Sequence, residues 1–572
     1  MKTVLSLLKN YKKEAFLAPF FKFVEAVFEL FVPLVMADII DVGIPASDTS
    51  YIVKKGLVLV LLAAAGLSVA VTAQFFAAKA AVGVSGSLRK KLFDHIMGLE
   101  ALDVDKAGTS TLITRMTSDV NQVQTGVNMT LRLLLRSPII VFGAMIMAFT
   151  IDVPSALIFC IAVPVLAIIV IGITRFSIPM FSQVQKLLDK VMLSSRENLT
   201  GVRVIRAFNL QDDEKKSFYE KNDSLKTKQI SASDFTALTN PITFIVVNTA
   251  VMFLIYKGAV RVNIGAITQG QAVAILNYMS QILVELLKLT NLIVTITKSI
   301  ASADRVSDVF DLGKKEERSS GLGETSKQDK SSTVSFDHVS LKYTAGSDEA
   351  LSDISFDVKP GMTVGVIGGT GSGKSSLINL IPGMYEATSG TVTVLGEDVK
   401  TCDRVKLRER IGVVPQKAVL FKGTVRSNMQ IGRADATDEE MIECLKKAQS
   451  YDFVSEKGGL DAEVLQNGKN FSGGQRQRLT IARALVRKPE ILILDDSTSA
   501  LDFLTEKHIR EEIAALRDMT VFIVSQRASS VMNADMIIVL DDGKAVGIGT
   551  HDELLKTCNV YEEIYYSQFE RK

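Results

Sequence analysis

Gly368-Gly369-Thr370-Gly371-Ser372-Gly373-Lys374-Ser375 follows the strand-forming run Thr363-Val-Gly-Val-Ile and opens onto an apolar helix, Ser376 to Leu380. Strand, glycine-rich loop and helix in that order fit the phosphate loop G-x(4)-G-K-[ST] in its required context. The glycines let backbone N–H groups curl around phosphate oxygens. Lys374 is expected to reach the terminal oxygens and the Ser375 hydroxyl to ligate magnesium, with the helix start favouring the anion. Further on, Ile491-Leu-Ile-Leu reads as a buried strand ending in Asp495, an acidic strand end expected to hold magnesium through water. From Thr333 short β-rich runs alternate with helices, so residues 333–572 are expected to form an α/β nucleotide-binding domain.

Upstream the pattern is different. Gly56 to Ala78, Ser137 to Ile151, Val153 to Thr174, Phe235 to Tyr256 and Val262 to Val284 are long runs with few or no acidic or basic residues. A bilayer core of about 30 Å needs about 20 helical residues, so each is long enough, or nearly so, to span it. A weaker first span, Phe16 to Asp41, holds Lys22, Glu25, Glu29 and Asp38. That makes six spans in an all-α membrane domain, residues 1–312. Segments 79–131 and 175–234 are rich in Lys and Arg, which places them on the cytoplasmic side. The link from Asp41 to Tyr51 carries neither residue and reads as external, as does the turn at Asp152. The two basic segments read as helical throughout, extending the spans far below the bilayer. Both termini and the nucleotide domain are then cytoplasmic. A polar stretch, 313–332, reads as a linker.

Composition narrows the classes. Lys and Arg total 65 against 63 Asp and Glu, a net charge of +2 that provides no basic field and argues against nucleic acid as a partner. The four cysteines, at 160, 402, 444 and 558, form no CxxC or metal-ligand spacing. The N-terminal residues carry no signal-peptide pattern, with Lys9, Lys12 and Lys13 preceding a long span without a cleavage site.

Phe471-Ser472-Gly473-Gly474-Gln475-Arg-Gln-Arg opens an amphipathic helix running to about Val486. This stretch resembles the signature of ABC transporters, and the resemblance extends over essentially the whole chain: six spans, then one ATPase domain, as in type IV exporters. It implies ATP and Mg2+ as nucleotide and metal, and membrane transport coupled to ATP hydrolysis. It further implies that Tyr343 stacks on adenine, that Gln416 lies near magnesium, and that the segment from Ser499 to Asp502 is the D-loop. Thr109 to Asp119 and the region of Val202 and Arg203 resemble the two coupling segments. In this family each nucleotide lies between one chain's phosphate loop and the other chain's signature, so the resemblance requires a dimer.

Two residues depart from the family pattern. Asp496 stands where Glu usually acts on the attacking water, and Gln526 stands where His usually contacts the γ-phosphate. Asp is one methylene shorter, about 1.5 Å. Gln donates a hydrogen bond but carries neither proton nor charge. The signature, by contrast, is complete. The chain thus resembles the degenerate-site subunit of bacterial heterodimeric multidrug exporters, located in the cell membrane. Its expected partner is a second half-transporter carrying the usual Glu and His, and its expected cargo is amphipathic. A homodimeric lipid or peptide exporter and a non-transporting ATP-sensing subunit are the alternatives. Glu25 and Glu29, four apart on the first span, fit either attraction of cationic amphipaths or, as the favoured reading, structural pairing. Asn248, Asn277 and Gln281 fit interhelical hydrogen bonding at least as well as cargo contact.

Overall fold

The computed structural model describes residues 2–313, 332–343, 348–498, 501–516 and 518–570. Nearly all of the expected linker, and Ser499 and Ala500 of the expected D-loop, lie outside the described residues. The chain forms two compact units: Met1–Leu99 with Ala107–Lys314, and Glu100–Lys106 with Lys315–Lys572.

The first unit is helical. Its principal helices are α1 (Lys12–Asp38), α2 (Thr49–Gly98), α3 (Arg136–Ile151), α4 (Val153–Thr200), α5 (Thr239–Asn263) and α6 (Gln269–Asp311). Among the described residues four helical stretches are long and apolar enough to cross a membrane: Thr49–Gly98, Thr109–Ile151, Val153–Thr200 and Gln211–Asn263. Polar and charged residues dilute α1 and α6, but the fold buries them: Lys22, Glu25 and Glu285 are all withdrawn from the surface. α2 shows the opposite arrangement, with Leu57, Val60, Leu61, Leu67 and Val71 exposed, an apolar surface suited to lipid. On its other side Ala73, Ala77, Ala80 and Ala81 are fully buried; small residues let helices approach closely. Leu30, Ala144, Phe159, Leu254, Tyr278 and Ile282 join five of the helices in one core.

Two expectations are corrected. The run Val262 to Val284 is not one helix: α5 ends at Asn263, Gly265 has φ +73°, and α6 starts at Gln269. The reason lies in local start and stop chemistry. Thr268 and Gln271 form a reciprocal capping box, and the Asp41 carboxylate accepts from Gly270 N (2.7 Å) and Thr268 Oγ1 (2.5 Å). Nor are the basic segments helical throughout. The first breaks at Leu99 and at Gly108 (φ +75°); the second breaks at Gly201 and at Asn209 (φ +57°). Short helices, Ala101–Ala107 and Val202–Ala207, occupy these turns. At the opposite end, Asp152 joins α3 to α4, caps α4 through Ser155 N (3.2 Å) and accepts from Arg261 Nη2 of α5 (2.6 Å).

The second unit contains two larger sheets. Strands β1 (Val334–Leu341), β2 (Leu351–Val358), β4 (Ser389–Val394) and β5 (Glu397–Asp398) form an antiparallel sheet in the order β2-β1-β4-β5. β3 (Thr363–Gly368), β6 (Ile411–Val414), β7 (Ile491–Asp495), β8 (Thr520–Val524), β9 (Met536–Asp541) and β10 (Lys544–Gly549) form the other, in the order β10-β9-β3-β8-β7-β6. It is parallel except for β10. β3, β7 and β8 are buried almost throughout, as expected of central parallel strands. In open parallel sheets ligands bind beyond the carboxyl ends of the strands, and β3, β7 and β8 all end together there.

Glu100–Lys106 belongs by its contacts to this second unit. Tyr385 Oη donates to Asp105 Oδ2 (2.9 Å), and Arg404 reaches Glu100 (3.2 Å) while also pairing with Glu386. The segment bound here thus precedes the expected Thr109 to Asp119, which lies in the first unit.

Candidate nucleotide site

The loop after β3 bends through Gly371 (φ +83°) and Gly373 (φ +96°) into helix α7 (Lys374–Leu380). No other residue fits at Gly373: its conformation is left-handed, and a Cβ would lie 2.7 Å from the Ala350 carbonyl oxygen. Lys374 folds over the loop, with Nζ donating to the carbonyl oxygens of Gly368 (2.9 Å) and Gly369 (2.5 Å). Burial lowers its pKa below the usual lysine range, against the opposing pull of Asp496 and Asp495.

Asp495 ends β7, where the Ser375 hydroxyl donates to its carboxylate at 3.3 Å. Burial raises the Asp495 pKa and outweighs Ser375. A hydroxyl and a carboxylate side by side, both hard oxygen donors, suit Mg2+. The neighbouring Asp496 has φ +44° and donates its backbone N–H to Val524 O (3.0 Å). Asp is among the few non-glycine residues that tolerate this left-handed conformation. Gln416 Nε2 donates to the Asp496 carboxylate at 3.4 Å, and burial raises that carboxyl's pKa as well.

Tyr343 enters from the antiparallel sheet. Its hydroxyl lies 2.8 Å from Ser376 Oγ, and its ring meets Tyr385 edge-on at 5.1 Å. Tyr343, Thr370, Gly371, Ser372, Gly373, Lys374, Ser375, Ser376, Gln416, Asp495, Asp496 and Gln526 all line one cavity of about 340 Å³. Gly368 is packed behind it, where a Cβ would strike the Leu540 carbonyl oxygen at 2.1 Å; Gly369 also lies outside the lining set.

The signature residues Ser472, Gly473, Gly474 and Gln475 are not among the residues of this cavity. They start α8 (Gly473–Val486) elsewhere on the second unit. Ser472 Oγ accepts from Gln475 N (3.2 Å) and Gln475 Oε1 accepts from Ser472 N (3.0 Å), a reciprocal cap. Ser472 and Gly473 are exposed. Among the D-loop residues that are described, Asp502 caps the following helix through Thr505 N (2.9 Å).

One contributor was missed by sequence reading. Gln568, beyond the last helix, donates from Nε2 to the Gln526 carbonyl (2.9 Å) and accepts from Ala528 N (2.9 Å). It braces the turn that presents Gln526 from 42 residues away along the chain.

Residues 15–286 match the ABC transporter transmembrane region and residues 351–499 the ABC transporter domain. The chain is 35% identical over 573 residues to the uncharacterized ABC transporter ATP-binding protein YfiB of Bacillus subtilis (strain 168), covering 100% of this chain and 99% of that protein. It is 33% identical over 581 residues to the putative multidrug export ATP-binding/permease protein YgaD of the same organism, covering 99% of each. The solved structure of a bacterial Atm1-family ABC exporter with ATP bound has the same fold, with a TM-score of 0.79 at 22% identity over 99% of both chains. A membrane unit and a nucleotide unit, each matched in a single polypeptide, place the chain in the ABC transporter family.

Proposed function

We propose that the chain is one half of a heterodimeric exporter of amphipathic compounds in the cell membrane. In this reading residues 1–312 span the bilayer, 313–332 link, and 333–572 bind nucleotide, with both termini and the nucleotide domain cytoplasmic. The observation that carries it is the separation of two half-sites. Lys374, Ser375 and Asp495 line one cavity, while the capped Ser472–Gln475 corner, exposed at Ser472 and Gly473, is not part of its lining. A nucleotide clamped between a phosphate loop and a signature then needs a second chain.

The asymmetry rests on Asp496 and Gln526. Gln416 restrains the Asp496 carboxylate, which stops about 1.5 Å short of where a Glu would reach. A misplacement of about 1 Å can cost on the order of a hundredfold in rate. Gln526 offers an amide donor but cannot stabilise developing charge as an imidazolium would. This chain therefore holds ATP through Lys374 and Tyr343 and cuts it slowly, while its signature completes a competent site on the partner. Mg2+ held by Ser375, Asp495 and Gln416 would neutralise phosphate charge. The exposed apolar residues Leu199, Val204 and Phe208 around the Val202–Ala207 turn are suited to docking on the partner. The similarity to YgaD supports the exporter class.

The test is to purify the tagged chain from its native membranes. A co-purifying homologue with Glu and His at the two positions is expected, and the chain alone should hydrolyse ATP at least about a hundredfold more slowly than the pair. A stable homodimer with full, drug-stimulated turnover would contradict the proposal and favour the homodimeric alternative.

A further inference from the structure

The turn that carries Gln526 leaves β8 after Val524 and is tied down on both sides. Downstream it is held by α9 (Phe503–Ala514). The buried Glu506 accepts from Ser530 Oγ (2.5 Å) and from Arg527 Nη1 (3.4 Å), and Arg510 Nη1 donates to Ser529 O (2.5 Å). Upstream, Ser525 N donates to Val366 O of β3 (3.1 Å), and Ser525 Oγ accepts from Arg527 N (3.0 Å). None of these bonds reaches the Gln526 carbonyl or the Ala528 N–H. One side chain meets both: Gln568 Nε2 donates to the first and Gln568 Oε1 accepts from the second, each at 2.9 Å.

Gln568 is itself anchored. It follows α11 (Asn559–Tyr566), which packs beside α10 (His551–Thr557). Tyr565 of α11 stacks on Phe569 with ring centres 4.7 Å apart and lies 5.1 Å from the His551 ring. The fully buried Tyr561 sets its hydroxyl 2.8 Å from His551 Nδ1. The backbone N–H groups of Gln568 and Phe569 both donate to Tyr565 O (3.0 Å each). The aromatic cluster thus fixes the backbone on either side of Gln568, and its side chain crosses to the turn.

We infer that Gln568 is a positioning residue: it sets where the Gln526 side chain meets the terminal phosphate, and so how strongly this site prefers ATP over ADP. Gln526 lines the nucleotide cavity with Lys374, Asp495 and Asp496, so a shift of its backbone moves its amide against that phosphate. ADP offers nothing at that place and is indifferent to the shift. Water can replace both bonds of Gln568, which makes the effect moderate rather than total. The inference rests on the reading of this cavity as the ATP site with Gln526 toward the terminal phosphate.

The test uses the full chain in lipid nanodiscs with whatever partner co-purifies. Radiolabelled, photoreactive azido-ATP is bound with Mg2+ on ice, and unlabelled ATP or ADP competes for the label recovered on this chain. Gln568→Leu is expected to weaken ATP about fivefold and to leave ADP unchanged. Gln568→Glu keeps an acceptor for Ala528 N but has no donor for the Gln526 carbonyl, and should show the same loss. Gln526→Ala should remove the preference, and adding Gln568→Leu to it should do nothing more, because the one acts through the other. Equal weakening of ATP and ADP would mean a general loosening and overturns the inference. So does full ATP preference in Gln568→Glu, or losses that add in the double variant. Loss of preference in Gln526→Ala without loss in Gln568→Leu overturns this inference alone, and the reading of the cavity stands. No effect of Gln526→Ala sinks both.

Discussion

Gly473→Asp is expected to lower ATP turnover of the assembled transporter by more than about a hundredfold while leaving ATP binding to this chain's own cavity unchanged. The chain itself should tolerate the substitution. Gly473 is exposed, its φ is not in the left-handed region, and an added Cβ meets nothing within 4 Å. A carboxylate in the first turn of α8 even favours the helix, by a few tenths of a kcal/mol. The damage falls elsewhere. In the proposed dimer this corner supplies backbone N–H groups to the phosphates of the partner's nucleotide, and a fixed negative charge there opposes them directly. The matched control is Asp496→Asn in the same assembly. Because this carboxylate is not the working base, turnover should change by less than about threefold. Phosphate release measured on both variants decides the point. Equal losses in the two would mean that this chain's own site carries the catalytic load.

Arg136→Leu is the second large effect, and here the expected loss is of the fold. Arg136 is 7% exposed and joins Glu29 of α1 to Glu285 of α6. Removing one member of a buried ion pair costs about 3–5 kcal/mol, because the remaining charge stays buried without compensation. In this case Glu29 loses its ion pair, and the buried Glu285 keeps only Ser137 and Lys288. The yield of monodisperse protein and its thermal midpoint in detergent should fall sharply. Arg136→Leu combined with Glu29→Leu and Glu285→Leu should recover much of the loss, since apolar replacement of a whole buried network is often tolerated. Failure of the triple variant to improve on the single one would show that the network is not what holds α1, α3 and α6 together.

The nucleotide half was largely legible from sequence because its motifs are local. Strand β3, the glycine loop and Lys374 lie within a dozen residues, and buried strands ending at Asp495 and before Gln526 follow the same rule. Parallel-sheet geometry then brings these strand ends to one edge, so residues distant in sequence line one cavity. Gln568 was illegible because it acts through two backbone hydrogen bonds from the far end of the chain. In the membrane half hydropathy located the apolar runs but could not recognise charge pairing. Lys22, Glu25 and Glu29 make α1 look weak, yet Lys22 pairs with Glu25 within the helix, and Arg136 of α3, over 100 residues away, meets Glu25 and Glu29. Hydropathy also ran across the α5–α6 turn, where Gly265 and the Thr268 cap set the boundary, and the reading of 79–131 as one helix passed over the turn holding Glu100–Lys106.

In the proposed heterodimer the two bound nucleotides have different fates. A single-turnover experiment with [γ-32P]ATP on the purified pair tests it most directly. About half of the bound label is expected to leave as phosphate in a fast phase, while the remainder stays as intact ATP on the site built from Lys374, Asp496 and Gln526. Release of all the label in one fast phase, with no retained ATP, would contradict it.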